Sequence, residues 1–284
     1  ADKAAYGAKR FILGLGKKVL IANVLAELVN AFKASGEKST LFYWVYAAAY
    51  MLHVYFDFSG YSDMAIGLGS IFGFTFPENF NYPYVAASIT EFWRRWHMSL
   101  SSWFRDYVYI PLGGSRVKKP RALLNIAIVW MLTGLWHGAD WNFVMWGIMF
   151  AALLIAEKTM LLGFLKKHRA IGHIYTLLFV MLCFIMFDAA GVKEGFETIA
   201  ALFGANAADN TEALYYLRSY AVPLIIAAIG ATPLPKRIKA KLEATRVGGA
   251  IMAIAEPVAL AALLCVCTAY LIDGSFNPFL YFRF

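Results

Sequence analysis

The chain has 284 residues, of which 61% are hydrophobic, 17% aromatic and only 15% charged. A soluble domain could not hide so much apolar side chain behind so little charge, which excludes an ordinary water-soluble fold and points to side chains facing lipid or one another. The 26 Lys and Arg against 18 Asp and Glu give a formal charge of +8, but the basic residues form short clusters between apolar runs, a pattern of membrane topology rather than nucleic-acid binding.

In chain order, Phe11 to Phe32 is apolar but carries Lys17 and Lys18 in its middle, which predicts an interfacial helix rather than a span. Leu41 to Phe58 is long enough to cross. Met64 to Phe76 is shorter and interrupted by Gly67, Gly69 and Gly73, which predicts a re-entrant or tightly packed piece. Five clearer runs follow: Ala122 to His137, Trp141 to Leu165, Ile171 to Ala190, Ser219 to Pro235 and Gly248 to Ile272. Each approaches the roughly 20 residues that cross about 30 Å of hydrocarbon, so six or seven crossings are expected. The loops Arg94 to Arg121, Lys166 to Arg169 and Lys236 to Arg246 are basic, whereas Lys193 to Glu212 carries Glu194, Glu197, Asp209 and Glu212 against one Lys. The positive-inside rule therefore puts the basic loops in the cytoplasm and the acidic one outside. The expected fold is all-α, a polytopic transmembrane helical bundle forming one domain over residues 1–284. Ala1 opens no signal-peptide pattern and the first strongly apolar span arrives only near Leu41, so earlier helices are expected to be missing.

Three clusters could carry chemistry. On a helix, Trp130, Thr133, Gly134 and His137 share one face, where glycine and threonine would leave room for a slim chain beside the imidazole. With an ordinary pKa near 6.5, that imidazole can take a proton from a hydroxyl and make it a nucleophile. The plainer reading is a histidine hydrogen-bonded between helices; ionisable groups at membrane depth favour the functional one. Second, Phe92, Trp93, Trp96, Leu100, Trp103, Phe104 and Tyr107 fill a helical arc of roughly 120°, with His97 at its border and Arg94, Arg95, Arg105 and Asp106 opposite. This amphipathic helix could grip anionic headgroups, or its arginines could meet the phosphates of an acyl carrier such as coenzyme A while His97 faces inward. Third, Asp57 and Asp63 follow His53. Either carboxylate could orient a histidine or pair with an arginine of the amphipathic helix, although Ser62 or Asp63 could equally cap a helix beginning near Met64. His53 itself reads as an interhelical hydrogen-bonding residue. His168 and His173 read as solvated. Cys183, Cys265 and Cys267 lie in apolar runs without metal-ligand spacing, so no disulfide framework and no metal site are expected.

The runs Tyr55-Phe-Asp-Phe-Ser-Gly-Tyr-Ser-Asp-Met-Ala-Ile-Gly, Asn79-Phe-Asn-Tyr-Pro-Tyr, Phe92-Trp-Arg-Arg-Trp-His-Met-Ser-Leu, Phe104-Arg-Asp-Tyr-Val-Tyr-Ile-Pro-Leu-Gly-Gly and Gly134-Leu-Trp-His-Gly-Ala resemble the membrane-bound O-acyltransferases, in particular the bacterial subunits that O-acetylate alginate and peptidoglycan. The resemblance runs from about Gly14 to the C-terminus. It implies a helical bundle around a tunnel, His137 as the catalytic histidine, and His97 as a second site residue orienting the thioester or steadying its carbonyl oxygen. It implies acetyl-CoA as donor with no bound cofactor, the bacterial inner membrane as location, and a periplasmic acyltransferase partner. The aromatic tail Phe279-Leu-Tyr-Phe-Arg-Phe is similar to tails in which a tyrosine, here Tyr281, carries the acyl group. Members of the family have several helices before the matched region, so part of the tunnel wall is expected to be absent. Three other readings remain open: D-alanyl transfer to teichoic acid, a proton-coupled transporter using Asp57, Asp63 and His137, and a scaffold in which His137 is dispensable. The transporter is disfavoured because no pair of broken helices recurs in two matching halves.

Overall fold

Glycines set the closest helix contacts in the computed structural model, which describes residues 2–204 and 210–273. Every regular element among these residues is helical: α1 (Asp2–Gly16), α2 (Asn23–Ala34), α3 (Thr40–Ile71), α4 (Ile89–Trp93), α5 (Met98–Phe104), α6 (Lys119–His137), α7 (Trp141–Ala156), α8 (Leu162–Lys167), α9 (Arg169–Asp188), α10 (Val192–Ala201), α11 (Thr211–Ser219), α12 (Ala221–Gly230), α13 (Leu234–Glu243) and α14 (Arg246–Asp273). They gather into two compact units. One holds residues 2–35, 49–78 and 215–273, the other residues 36–48, 79–204 and 210–214.

In the first unit α1 lies directly on α3. A Cβ on Gly7 would sit 2.4 Å from the carbonyl oxygen of Gly67, and one on Gly14 would sit 2.7 Å from that of Gly60. Glycines seven residues apart on both helices therefore let the backbones touch, as small residues do between membrane helices. Of the two readings of Met64 to Phe76, the tightly packed piece holds and the re-entrant one does not. Gly67 and Gly69 do not interrupt the helix. α3 starts where the Ser39 hydroxyl accepts the Phe42 N–H (3.3 Å) and runs unbroken for 32 residues, with Gly67 spent on packing.

The charges of α1 and α3 meet at the same contact. The Arg10 guanidinium donates to Asp63 Oδ1 at 3.1 and 2.8 Å and also reaches Glu78; Lys17 Nζ donates to Asp63 Oδ2 at 2.7 Å, and Lys18 Nζ to Asp57 Oδ1 at 2.6 Å. Lys17 and Lys18 thus answer carboxylates on α3 instead of headgroups, on a π-helical turn (Lys17–Ala22) that joins α1 to α2. Asp63 lies inside α3 and caps nothing. Asp63 takes its cations from α1 and the turn after it, not from an arginine of the amphipathic helix. His53 behaves as expected of an interhelical residue, with Nδ1 2.9 Å from the Ala22 carbonyl.

Trp141–Lys167, Arg169–Asp188 and Arg246–Asp273 are each long and apolar enough to cross a membrane. The expected span Ser219 to Pro235 holds α12, which ends at Gly230 and is bent by 58° from the preceding α11 at Tyr220. Pro223 explains the break: it lacks an N–H and its ring disfavours helical geometry just before it, so a helix can restart there but not run through. If this pair is one span, four segments qualify among the described residues. α14 is almost wholly exposed in the isolated chain, as a lipid-facing helix would be.

In the second unit α6 and α7 form the tightest pair. A Cβ on Gly147 would fall 2.3 Å from the Trp130 carbonyl oxygen, and one on Gly134 2.4 Å from that of Phe143. The gap at Gly134 is therefore filled by the α7 backbone, not kept open for a passing chain as its spacing suggested. Gly147→Ala should force the helices apart and lower stability by about 1 to 3 kcal/mol, the usual cost of overpacking. Thermal unfolding of the detergent-solubilised protein checks this, and an unchanged melting temperature would show that the contact is looser than described.

Candidate functional site

The site grows from α4, a helix of only five residues that could not persist without help at its ends. Its first-turn N–H groups are all claimed. Ser88 Oγ accepts from Glu91 N (3.0 Å), while Glu157 accepts from Ile89 N (2.6 Å), Thr90 N (2.9 Å) and the Thr90 hydroxyl (2.6 Å). Glu157 is a buried carboxylate inside the Trp141–Lys167 span, satisfied by donors in place of a cation. Glu91 reaches back to Ala87 N (3.1 Å) and takes the Arg95 guanidinium at 3.1 and 2.9 Å; Arg95 also donates to the Asn81 carbonyl. Burial would raise the Glu91 carboxyl, but these donors outweigh it and hold it below its ordinary value. Arg95 is thus committed to the protein, whereas Arg94 is exposed.

The expected single amphipathic helix across residues 90–106 is two helices, broken at His97. The cause is not local. Residues 79–81 lie alongside, with Asn81 N donating to the Arg95 carbonyl (2.9 Å) and Met98 N to the Asn79 carbonyl (3.0 Å), and His97 takes a left-handed conformation at φ 44°. Tyr82, at φ 46°, shares this backbone type on the paired segment. Positive φ at a non-glycine residue is uncommon and concentrates where the surroundings over-determine it. The break also splits the apolar arc: Phe92, Trp93, Trp96, Leu100 and Phe104 are buried, whereas Trp103 and Tyr107 face outward.

His97 is buried. Its Nδ1 lies 3.2 Å from Asn79 Oδ1, and its ring centroid lies 6.1 Å from that of Trp136. His137, at the end of α6, is half-buried rather than enclosed. Trp136, Trp146 and Phe187 surround its ring at 4.9, 5.0 and 5.1 Å, each nearly perpendicular to it. Among the described residues no hydrogen bond reaches its ring nitrogens, so aromatic walls alone set its orientation. The floor continues through Trp130, Trp93 and Phe150. Trp136 is the ring that both histidines share. Thr133, one turn before His137 on α6, is buried, its hydroxyl donating to the Val129 carbonyl at 2.8 Å.

The structure therefore brings His97, His137, Thr133, Arg94 and Arg95 into one unit, while Asp57 and Asp63 belong to the other and meet cations there. Tyr281 lies outside the described residues. His173 is tied to the Ala86 carbonyl rather than solvated (3.1 Å), and His168 is exposed. Sequence reasoning missed Asn79, Trp146, Glu157 and Phe187. Asn79 stands in a run singled out for its resemblance, and Glu157 is the lone acidic residue of an apolar span, a signal that could have been read.

A profile of the MBOAT, membrane-bound O-acyltransferase family, matches residues 2–193. The chain is 39% identical to the "Probable alginate O-acetylase AlgI" of Azotobacter vinelandii over 100% of its own length and 63% of the relative's. It is 37% identical to the Helicobacter pylori peptidoglycan O-acetyltransferase (71% and 39% of the two lengths) and 34% identical to the Bacillus subtilis teichoic acid D-alanyltransferase (54% and 41%). It spans less than two thirds of the length of these relatives. The family profile and the helical architecture agree: the chain belongs to the membrane-bound O-acyltransferase family.

Proposed function

We propose that the chain is the membrane-embedded acyltransferase subunit of a polysaccharide O-acetylation system, passing acetyl from cytoplasmic acetyl-CoA across a bacterial inner membrane to a hydroxyl. The observation that carries this reading is the His137 imidazole, held by three aromatic rings, with neither ring nitrogen engaged by a described residue, and His97 against the same Trp136 ring. His137 takes the hydroxyl proton as the oxygen attacks the thioester carbonyl carbon. The C–S bond then breaks, and the proton passes to the departing thiolate of coenzyme A. His97 engages the donor end of the reaction. The basic loops support a cytoplasmic donor side in a multi-pass topology, both histidines lie along a tunnel for the acyl donor, and a periplasmic acyltransferase receives the acetyl group, with Tyr281 as a candidate carrier. The relatives named for alginate and peptidoglycan O-acetylation support acetyl as the group moved.

D-alanyl transfer is the second reading, supported by the 34% identity to a teichoic acid D-alanyltransferase. Membranes carrying the protein and its partner should transfer label from acetyl-CoA to polymer and none from a D-alanyl carrier protein. The opposite pattern would exchange the two readings, and label from neither would favour the scaffold or transporter.

A further inference from the structure

We propose that Asn79 is a positioning residue that fixes the tautomer of His97, making Nε2 a hydrogen-bond acceptor, so that the neutral ring recognises a donor group of the substrate rather than the thioester carbonyl oxygen.

Three contacts converge on one oxygen. Asn79 Oδ1 lies 3.2 Å from the backbone nitrogen of Ser99, 2.9 Å from Ser99 Oγ and 3.2 Å from His97 Nδ1. A backbone N–H can only donate, so the atom facing Ser99 must be the amide oxygen, and the orientation of the Asn79 side chain is settled by chemistry. The Ser99 hydroxyl has one proton, and its 2.9 Å contact with Oδ1 claims it in preference to the 3.4 Å contact with His97 Nδ1. An oxygen cannot donate, so Nδ1 must carry the hydrogen. In a neutral imidazole the other nitrogen, Nε2, then bears the lone pair. The left-handed backbone at His97 and the pairing of residues 79–81 with residues 95–98 hold both partners in register through main-chain bonds that a change of the Asn79 side chain leaves intact. Of the two roles open to His97, steadying negative charge on a carbonyl oxygen needs a donor. Accepting a hydrogen bond from an amide N–H or hydroxyl does not. The oxygen of the tetrahedral intermediate must then be stabilised by other groups.

The catalytic consequence rests on the proposed acyl transfer; the tautomer does not. With ¹⁵N-histidine-labelled protein in detergent at a pH where His97 is neutral, subtracting the spectrum of His97→Gln assigns its two nitrogens. Wild type should show a protonated Nδ1 and an unprotonated Nε2, Asn79→Ala should show both tautomers, and Asn79→Asp, which keeps the acceptor, should match wild type. An unprotonated Nδ1 in wild type overturns the proposal. In the acetyl-transfer assay Asn79→Ala should lose about 10-fold or more, as when the orienting partner of a functional histidine is removed, and Asn79→Asp should restore most of it. Equal loss in both variants would mean that the amide serves structure alone and would also overturn the proposal. His97→Gln tests the acyl-transfer reading separately, because full activity in that variant would remove His97 from the reaction while leaving its tautomer untouched.

Discussion

Replacing His137 with alanine in the membrane-embedded protein is expected to lower acetyl transfer by about 10² to 10⁴-fold, the typical contribution of a positioned base, while the protein stays folded in the membrane. The expectation of a stable variant follows from how the ring is held. Its contacts are with Trp136, Trp146 and Phe187; Trp146 and Phe187 also pack on each other and on Phe150 and Phe143, so the aromatic floor keeps its own support. No described residue loses a hydrogen bond to the imidazole. His137→Gln gives a second check, since it keeps volume and hydrogen-bonding capacity but cannot take up a proton. A stable Gln variant as inactive as the Ala variant assigns the loss to proton transfer. Near-normal acetylation in either would end the assignment of His137 as base and favour a scaffold.

What the sequence disclosed and what it hid divide by the range of the interactions. Apolar runs of span length located Trp141–Lys167, α9 and α14 to within a few residues, because the solvent preference of a helix is written along its own length. His137 and His97 stood out as candidate site residues for a similar reason: an ionisable group in an apolar or amphipathic run is conspicuous. Their surroundings were not legible. Trp146 and Phe187 are ordinary apolar residues until folding turns them onto the His137 ring. The break at His97 comes from residues 79–81, and propensity alone would have continued the helix through Arg94 to Met98. Glycine was left open in α3 and misread in α6 because its two uses look alike in one dimension. Gly67 and Gly134 resemble points of weakness or space, whereas in the fold each receives the backbone of a neighbouring helix.

The pair Lys18 and Asp57 leads to the second large effect. Their side chains are only 7% and 3% exposed and meet at 2.6 Å, so the cost of taking both charges out of water is offset mainly by their attraction and by other buried contacts. Asp57→Ala should therefore lower stability by about 3 to 5 kcal/mol, because a buried ammonium loses the carboxylate facing it. Lys18→Met with Asp57→Leu should recover most of that, since an apolar pair of similar volume needs no desolvation. Thermal unfolding in detergent measures both, and a change below about 1 kcal/mol in Asp57→Ala would show that water or another group already compensates Lys18. The double variant also settles what the motif around Asp57 is for. Retained acetyl transfer in a stable Lys18→Met, Asp57→Leu protein would make the pair a pin that sets α3 against the first helical segment. Lost transfer at undiminished stability would instead make Asp57 part of the working machinery, as its place after His53 first suggested.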